Sequence, residues 1–163
     1  MSNEALTTYL SDHVAGSVAA IELLDHLHEL SRGTDRENVL ANLRSEIEED
    51  QAVLLELLHS LGAKESRMRK AAAWLTEKLG EAKLKLDDPG GGQFQLLEAL
   101  ETLGLGILGK LALWGALEVA REDVPQLRKL DFATLKQRAR AQHDRVEAER
   151  KRAVRAAFSL TPE

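Results

Sequence analysis

The sequence predicts an all-α protein, and three observations carry that prediction. Apolar residues recur with helical spacing in four long segments. No segment alternates apolar and polar residues as a half-buried strand does, and Val, Ile and Thr are thinly spread. Clear breakers separate the segments, the strongest being Asp87–Gly92. With 163 residues, of which 44% are hydrophobic, residues 1–163 are expected to form a single domain.

Start and stop signals place the helices along the chain. Thr34 or Asp35 is a suitable N-cap for the second helix, and Gly62 is suited to end it. Pro125 follows the third helix, and Pro162 follows the fourth. The four predicted helices span about residues 3–30, 35–61, 93–119 and 131–159.

A shorter fifth helix is predicted over about residues 65–85, between the second and third long helices. The short links elsewhere make helices one and two, and three and four, antiparallel hairpins. A long helix here measures about 40 Å at 1.5 Å per residue, and the insert is long enough to cover that distance. The second and third helices would then be parallel. A five-helix meander is the alternative.

These helix lengths and this connection pattern, over nearly the whole chain, resemble the ferritin-like superfamily, in particular its uncharacterised bacterial bundles with a helical crossover. Di-iron members place a Glu on each of two helices and Glu-x-x-His on each of the other two. The single match, Glu56 to His59, lies opposite the apolar stripe of its helix. The resemblance therefore implies a ferritin-like four-helix bundle with a crossover helix but without a complete di-iron ligand set. No cofactor is expected; iron or manganese is the alternative.

Helical wheels place a few polar residues on the inner faces of the helices, near mid-bundle. A buried carboxylate must be neutralised by a metal, a proton or a cation. We expect an Asp50–Lys110 or an Asp50–His13 pair, supported by Gln142. A simple Asp50–Lys110 pair predicts that Asp50→Leu is milder than the loss of Lys110. The alternative is a metal or small-ligand site. The candidate buried polar layer comprises His13, Glu46, Asp50, Lys110 and Gln142.

The third helix is apolar nearly all round, because Leu105, Leu108 and Leu113 lie off its main stripe. The fifth helix, with Trp74, could cover one flank, and a homodimer interface could cover the remainder. The glycines of this helix are interpreted as close-packing positions, at Gly104, Gly106, Gly109 and Gly115.

Charge is uneven along the chain, with a net of −9 over residues 1–65 and +4 over the rest. Residues 136–155 hold eight basic and three acidic residues, which raises nucleic acid as a possible partner. The acidic residues lie at spacings that favour ion pairs within the helix, and aromatic residues for base stacking are missing. A solvated, salt-bridged face is the favoured interpretation, and nucleic-acid binding is not expected.

The sequence lacks the residues that several other classes of function require. The absence of cysteine excludes disulfides, thiolate metal sites and a cysteine nucleophile. No serine lies in a nucleophile elbow. No signal-like stretch opens the sequence, and the apolar run Leu103–Leu117 is shorter than a membrane span, so a cytoplasmic location is expected. The sequence thus favours a non-enzymatic structural or protein-interaction bundle, with an unknown partner, that has lost its metal centre. The alternative binds metal or a small ligand through Glu46, Asp50 and His13.

Overall fold

The computed structural model describes residues 4–63, 73 and 92–158. In these residues the protein is all-helical and forms a four-helix bundle, as predicted, and no strand is present. A short 3-10 helix, Pro125–Lys129, connects the last two long helices. Of the predicted fifth helix only residue 73 is described, and it is helical; the remainder, with Trp74, lies outside the described residues. The four long helices are α1 (Glu4–Leu30), α2 (Arg36–Ser60), α3 (Gly92–Ala120) and α4 (Phe132–Phe158).

The helix ends follow the predicted breakers. After α2, Gly62 adopts a φ of +70°, and the Ala63 N–H donates to the Leu58 carbonyl at 3.1 Å, which closes the helix with a Schellman-type bond. Asp131 caps α4, because its carboxylate accepts from the Thr134 N–H at 3.1 Å. Asp35 precedes α2 but its side chain makes no capping hydrogen bond.

Two apolar clusters show how the helices run. One cluster joins the end of α1, the start of α2, the start of α3 and the end of α4; it includes Leu24, Leu40, Leu100 and Ala153. The other joins the opposite ends of the same helices; it includes Leu10, Leu57, Trp114 and Leu135. Both hairpins, α1–α2 and α3–α4, are therefore antiparallel, whereas α2 and α3 run in the same direction. The end of α2 and the start of α3 lie at opposite ends of the bundle.

The outer face of α3 is apolar and open. Leu105 is 70% exposed and Leu108 is 43% exposed. Leu113, in contrast, is fully buried in the core, so the expectation that it needs extra cover is wrong. By length and composition alone α3 could cross a membrane, because its 29 residues extend beyond the apolar run Leu103–Leu117 at both ends. One third of its most apolar window is buried inside the bundle.

Candidate functional site

A layer of polar side chains separates the two apolar clusters at the middle of the bundle. The layer draws on three helices; two of them contribute three members each, most of them three or four residues apart and so on one face of the helix. We call this set the central polar layer; it comprises Glu46, Glu49 and Asp50 of α2, Lys110 of α3, and Arg138, Gln142 and Arg145 of α4.

Asp50 lies at the centre of this layer, with a side chain that is 2% exposed. Lys110 Nζ donates to its Oδ2 at 2.5 Å, and Gln142 Nε2 donates to the same oxygen at 3.3 Å. Arg138 Nη2 donates to the other oxygen, Oδ1. Both oxygens of the buried carboxylate are thus held by charged donors, which offsets its loss of hydration.

Gln142 joins Asp50 to a second carboxylate, Glu46. The fully buried amide of Gln142 accepts from Lys110 Nζ and donates to Glu46 Oε2 at 3.1 Å. Arg145 Nη2 donates to the same Glu46 oxygen at 2.5 Å. Burial raises the pKa of Glu46, but the hydrogen bonds from Arg145 and Gln142 outweigh it and hold the pKa below its ordinary value.

The charges of the central polar layer balance. Arg138 Nη1 also donates to Glu49 Oε2 at 2.9 Å, so three carboxylates face three basic side chains. Among the described residues there is no group of three or more His, Cys, Asp or Glu side chains placed to hold a metal ion. The layer therefore neutralises its acids with ammonium and guanidinium groups.

Lys110 is the cation with the least access to water among these three, with a side chain that is 11% exposed. Burial lowers the pKa of Lys110 below its ordinary value, and the nearby charge of Asp50 only partly opposes that shift. One donor of Arg138 is unsatisfied: its Nε is buried and has no hydrogen-bond partner in the described part of the chain, which costs free energy of folding.

The structure brings together four of the five predicted polar residues, namely Glu46, Asp50, Lys110 and Gln142. His13, the fifth, is not hydrogen-bonded to this layer. His13 is half-buried, stands edge-on to Tyr9 with ring centroids 4.7 Å apart, and makes no hydrogen bond to Asp50. Burial lowers the pKa of His13, with Asp12 opposing the shift.

The reason is a rotation of the buried face of α1. Its first half buries Leu10, Ser11 and Val14 rather than the face that carries His13. The Ser11 hydroxyl donates to the Thr7 carbonyl at 2.6 Å, so it is buried at little cost. A sequence pattern of apolar residues does not reveal a buried polar side chain that hydrogen-bonds to the backbone of its own helix.

Sequence reasoning missed the two arginines of the layer, although a signal was present. Arg138 and Arg145 lie four residues before and three residues after Gln142, on the same face of α4. The same spacing continues to Glu149, a buried carboxylate whose Oε2 accepts from Arg36 Nε at 3.1 Å. This second ion pair ties the start of α2 to the far end of α4.

The basic face of α4 is mostly occupied by ion pairs. Of the eight basic residues between positions 136 and 155, at least six pair with a carboxylate, most of them on a neighbouring helix. Glu56 and His59, the isolated Glu-x-x-His match, are both exposed, as the wheel predicted. These arrangements favour the salt-bridged interpretation of α4.

A cavity of about 230 Å³ lies among α1, α2 and α3 and borders the central polar layer. Asp50 and Lys110 line it, and so does His13. Three glycines also line it: Gly16, Gly106 and Gly109. The interpretation of the α3 glycines as close-packing positions is wrong for three of the four. In the described part of the chain, a Cβ built on Gly106, Gly109 or Gly115 meets nothing within 4 Å, whereas one built on Gly104 meets the Val146 side chain at 3.7 Å.

Comparisons of the chain with models of protein families, with curated proteins and with solved structures find no match. The class of the protein is therefore defined by its architecture and site: an all-α four-helix bundle with a charge-balanced polar layer and a cavity beside it.

Proposed function

We propose that this chain is a non-enzymatic structural or protein-interaction bundle of ferritin-like type, in which side-chain cations have replaced the metal centre. The observation that carries the proposal is the pairing of three carboxylates with three basic side chains at mid-bundle. No step of a reaction follows from this arrangement, since each charged group of the layer is already engaged by an opposite charge.

The topology supports the ferritin-like assignment. Two antiparallel hairpins with parallel second and third helices are the arrangement of ferritin-like folds, which need one long crossover connection. Here α2 and α3 run in the same direction, and 31 residues separate Ser60 from Gly92. In this proposal the crossover includes a helix over about residues 65–85, and it returns the chain from the end of α2 to the start of α3.

The position of the cations supports the loss of the metal. Di-iron members of the superfamily converge carboxylates and imidazoles on the bundle core. At the matching place this chain has Lys110 and Arg138 on Asp50, and Arg145 on Glu46. A divalent cation would have to displace positively charged groups that already hydrogen-bond to those oxygens, and the displaced groups would remain close by.

Unfolding in the presence of a divalent cation tests this proposal. A metal that binds only the folded state raises the free energy of unfolding in proportion to the logarithm of its concentration. We expect Mn²⁺ to leave the thermal midpoint of the wild-type protein unchanged. A variant with Lys110→Met and Arg138→Met retains the carboxylates without their cations and should be stabilised by Mn²⁺. Stabilisation of the wild type by Mn²⁺, abolished in Asp50→Asn, would contradict the proposal.

The protein-interaction part rests on the outer face of α3. Leu105 and Leu108 are exposed there and line a groove between α3 and α4 of about 260 Å³. Charged side chains of Glu147 and Arg150 border the same groove. An apolar strip with charged neighbours is typical of an association surface. We propose a second copy of the chain as its partner, because two-fold self-association is the commonest form of assembly.

A further inference from the structure

The glycines beside the central polar layer are not required by helix packing. A glycine inside a helix costs about 1 kcal/mol relative to alanine. A Cβ built on Gly16, Gly106 or Gly109 meets nothing within 4 Å, so alanine would fit at each of these positions. Their common effect is to leave the cavity among α1, α2 and α3 open. Gly16 and Gly106 are themselves exposed, so the cavity opens to solvent beside them.

The walls of the cavity combine an apolar surface with two polar groups that have unused hydrogen-bonding capacity. Ile47, Leu54 and Ile107 supply apolar surface. A lysine ammonium has three protons. Asp50 and Gln142 each accept one from Lys110, so one proton of Lys110 remains available. Within the described residues, neither ring nitrogen of His13 has a hydrogen-bond partner, and a neutral imidazole offers one donor and one acceptor.

Two other polar groups of the wall, Gln51 and Ser17, are engaged with one another. Gln51 Nε2 donates to Ser17 Oγ at 2.8 Å, and Ser17 Oγ donates to the Val14 carbonyl at 2.6 Å. Asp50 is surrounded by its own donors in the central polar layer. Lys110 and His13 are therefore two partly buried wall residues that a ligand can engage without breaking an existing hydrogen bond, whereas Asp12 also lines the wall but is exposed to solvent.

We propose that this cavity binds a small, neutral molecule with an apolar body and one hydroxyl group. The hydroxyl oxygen accepts the remaining proton of Lys110, and the hydroxyl proton is donated to the unprotonated ring nitrogen of His13. The lowered pKa of His13 keeps that nitrogen available near neutral pH. This inference does not rest on the loss of a metal centre.

Charge and size restrict the ligand. The acids and bases of the central polar layer already balance, so an anionic ligand would bring an unpaired charge into a largely apolar cavity. The volume of about 230 Å³ exceeds that of an engineered apolar cavity of ~150 Å³ that takes benzene. A single six-membered ring with one substituent therefore fits the space.

A phenol titration of the ¹⁵N-labelled full chain, followed by amide NMR spectra, tests the proposal. Phenol is neutral near neutral pH and presents one hydroxyl on an apolar ring. We expect saturable shifts of the Gly16, Gly106 and Gly109 amides, with the Gly115 amide unchanged. Gly109→Leu should abolish the shifts by filling the cavity. Gly115→Leu is the matched control, because Gly115 is on the same helix, has open space around its Cβ and does not line the cavity.

Further variants distinguish the parts of the proposal. If Gly109→Leu does not fold, a double variant with Gly106→Ala and Gly109→Ala replaces it, and should weaken binding. Lys110→Met should weaken phenol binding about tenfold through loss of a charge-assisted hydrogen bond. Absence of shifts, or shifts that survive Gly109→Leu, would refute the site. Tighter binding of benzoate than of phenol would refute the neutral class of ligand.

Discussion

At the scale of single residues, Asp50 organises the site. Its two oxygens are held by different cations, Lys110 on one and Arg138 on the other. Loss of Lys110 leaves Asp50 with Arg138, whereas loss of Asp50 leaves Lys110 buried without a carboxylate on its ammonium group. The structure therefore reverses the order of effects expected from a simple Asp50–Lys110 pair.

We predict that Asp50→Leu lowers the free energy of unfolding by about 3–5 kcal/mol, the usual effect of breaking a buried ion pair. Lys110→Met should lower it by less. Urea unfolding of both variants and of the double variant measures the difference, and the double variant gives the coupling between the two residues. Small and equal effects would show that the layer is solvated.

A second prediction at this scale concerns pH. The pKa of His13 in the folded protein is lowered by burial from its ordinary value of 6.5, with Asp12 opposing the shift. As the pH falls below about 6.5, the unfolded chain takes up a proton first, so stability is lost until the pH passes the folded pKa. We expect His13→Asn to lose less stability than the wild type between about pH 7.5 and pH 5.5. Equal losses in urea unfolding at the two pH values would contradict this account.

The chosen pH range separates His13 from Glu46. The pKa of Glu46 lies below its ordinary value of 4.5, because Arg145 and Gln142 outweigh the effect of burial. The stability that this carboxylate contributes is lost only below that value, as the pH falls through its folded pKa.

Residue-level prediction succeeded where an apolar stripe was strong. Asp50 stands out within the stripe of α2, and Gln142 stands out within that of α4. Arg138 and Arg145 could not be placed in the same way, because long basic side chains reach a buried carboxylate from the flank of a helix. His13 lies beside the most buried face of α1, because that face carries the polar Ser11, which no apolar stripe reveals.

At the scale of helices, glycine has opposite roles in different places. Gly115 lies inside α3 with open space around a built Cβ, whereas Gly62 follows α2 with a φ of +70°. Alanine suits the helical backbone at Gly115 and is strained at Gly62, where φ is positive.

We predict that Gly115→Ala raises the free energy of unfolding by about 1 kcal/mol through helix propensity. Gly62→Ala should lower it by about the same amount through strain in the left-handed region. Thermal unfolding followed by circular dichroism measures both. A destabilised Gly115→Ala would indicate that Gly115 is needed for a close contact.

Helix boundaries were predictable to within one or two residues because breakers mark them, as Gly62 does after α2 and Asp131 does before α4. The role of the α3 glycines was not predictable. Whether a missing Cβ admits a neighbouring helix or leaves a cavity depends on the positions of α1 and α2, which no local pattern contains.

At the scale of the whole molecule, segment lengths predicted the two antiparallel hairpins, because short links force antiparallel neighbours. The long insert between the second and third helices favoured a parallel course for them but left a five-helix meander as the alternative. Which apolar residues of α3 are buried and which stay exposed did not follow from the sequence. The periodicity of α3 showed that several faces are apolar, but only the packed bundle shows that Leu113 is buried and that Leu105 remains exposed.

We predict that the protein is a homodimer through this face. Light scattering of the wild type should give twice the mass of the chain, and Leu105→Lys with Leu108→Lys should give the monomer by placing charges in the apolar strip. Leu55→Lys is the control, because Leu55 is 40% exposed on α2, away from the strip. A monomeric wild type would refute dimerisation.

The central claim is that side-chain cations, and not a metal, neutralise the acids at mid-bundle. Elemental analysis of the protein, purified without chelator after growth with added iron and manganese, tests it most directly. Because Lys110, Arg138 and Arg145 already pair with Asp50, Glu49 and Glu46, we expect only traces of iron, manganese and zinc. A near-stoichiometric metal content that is lost in Asp50→Asn would contradict the account.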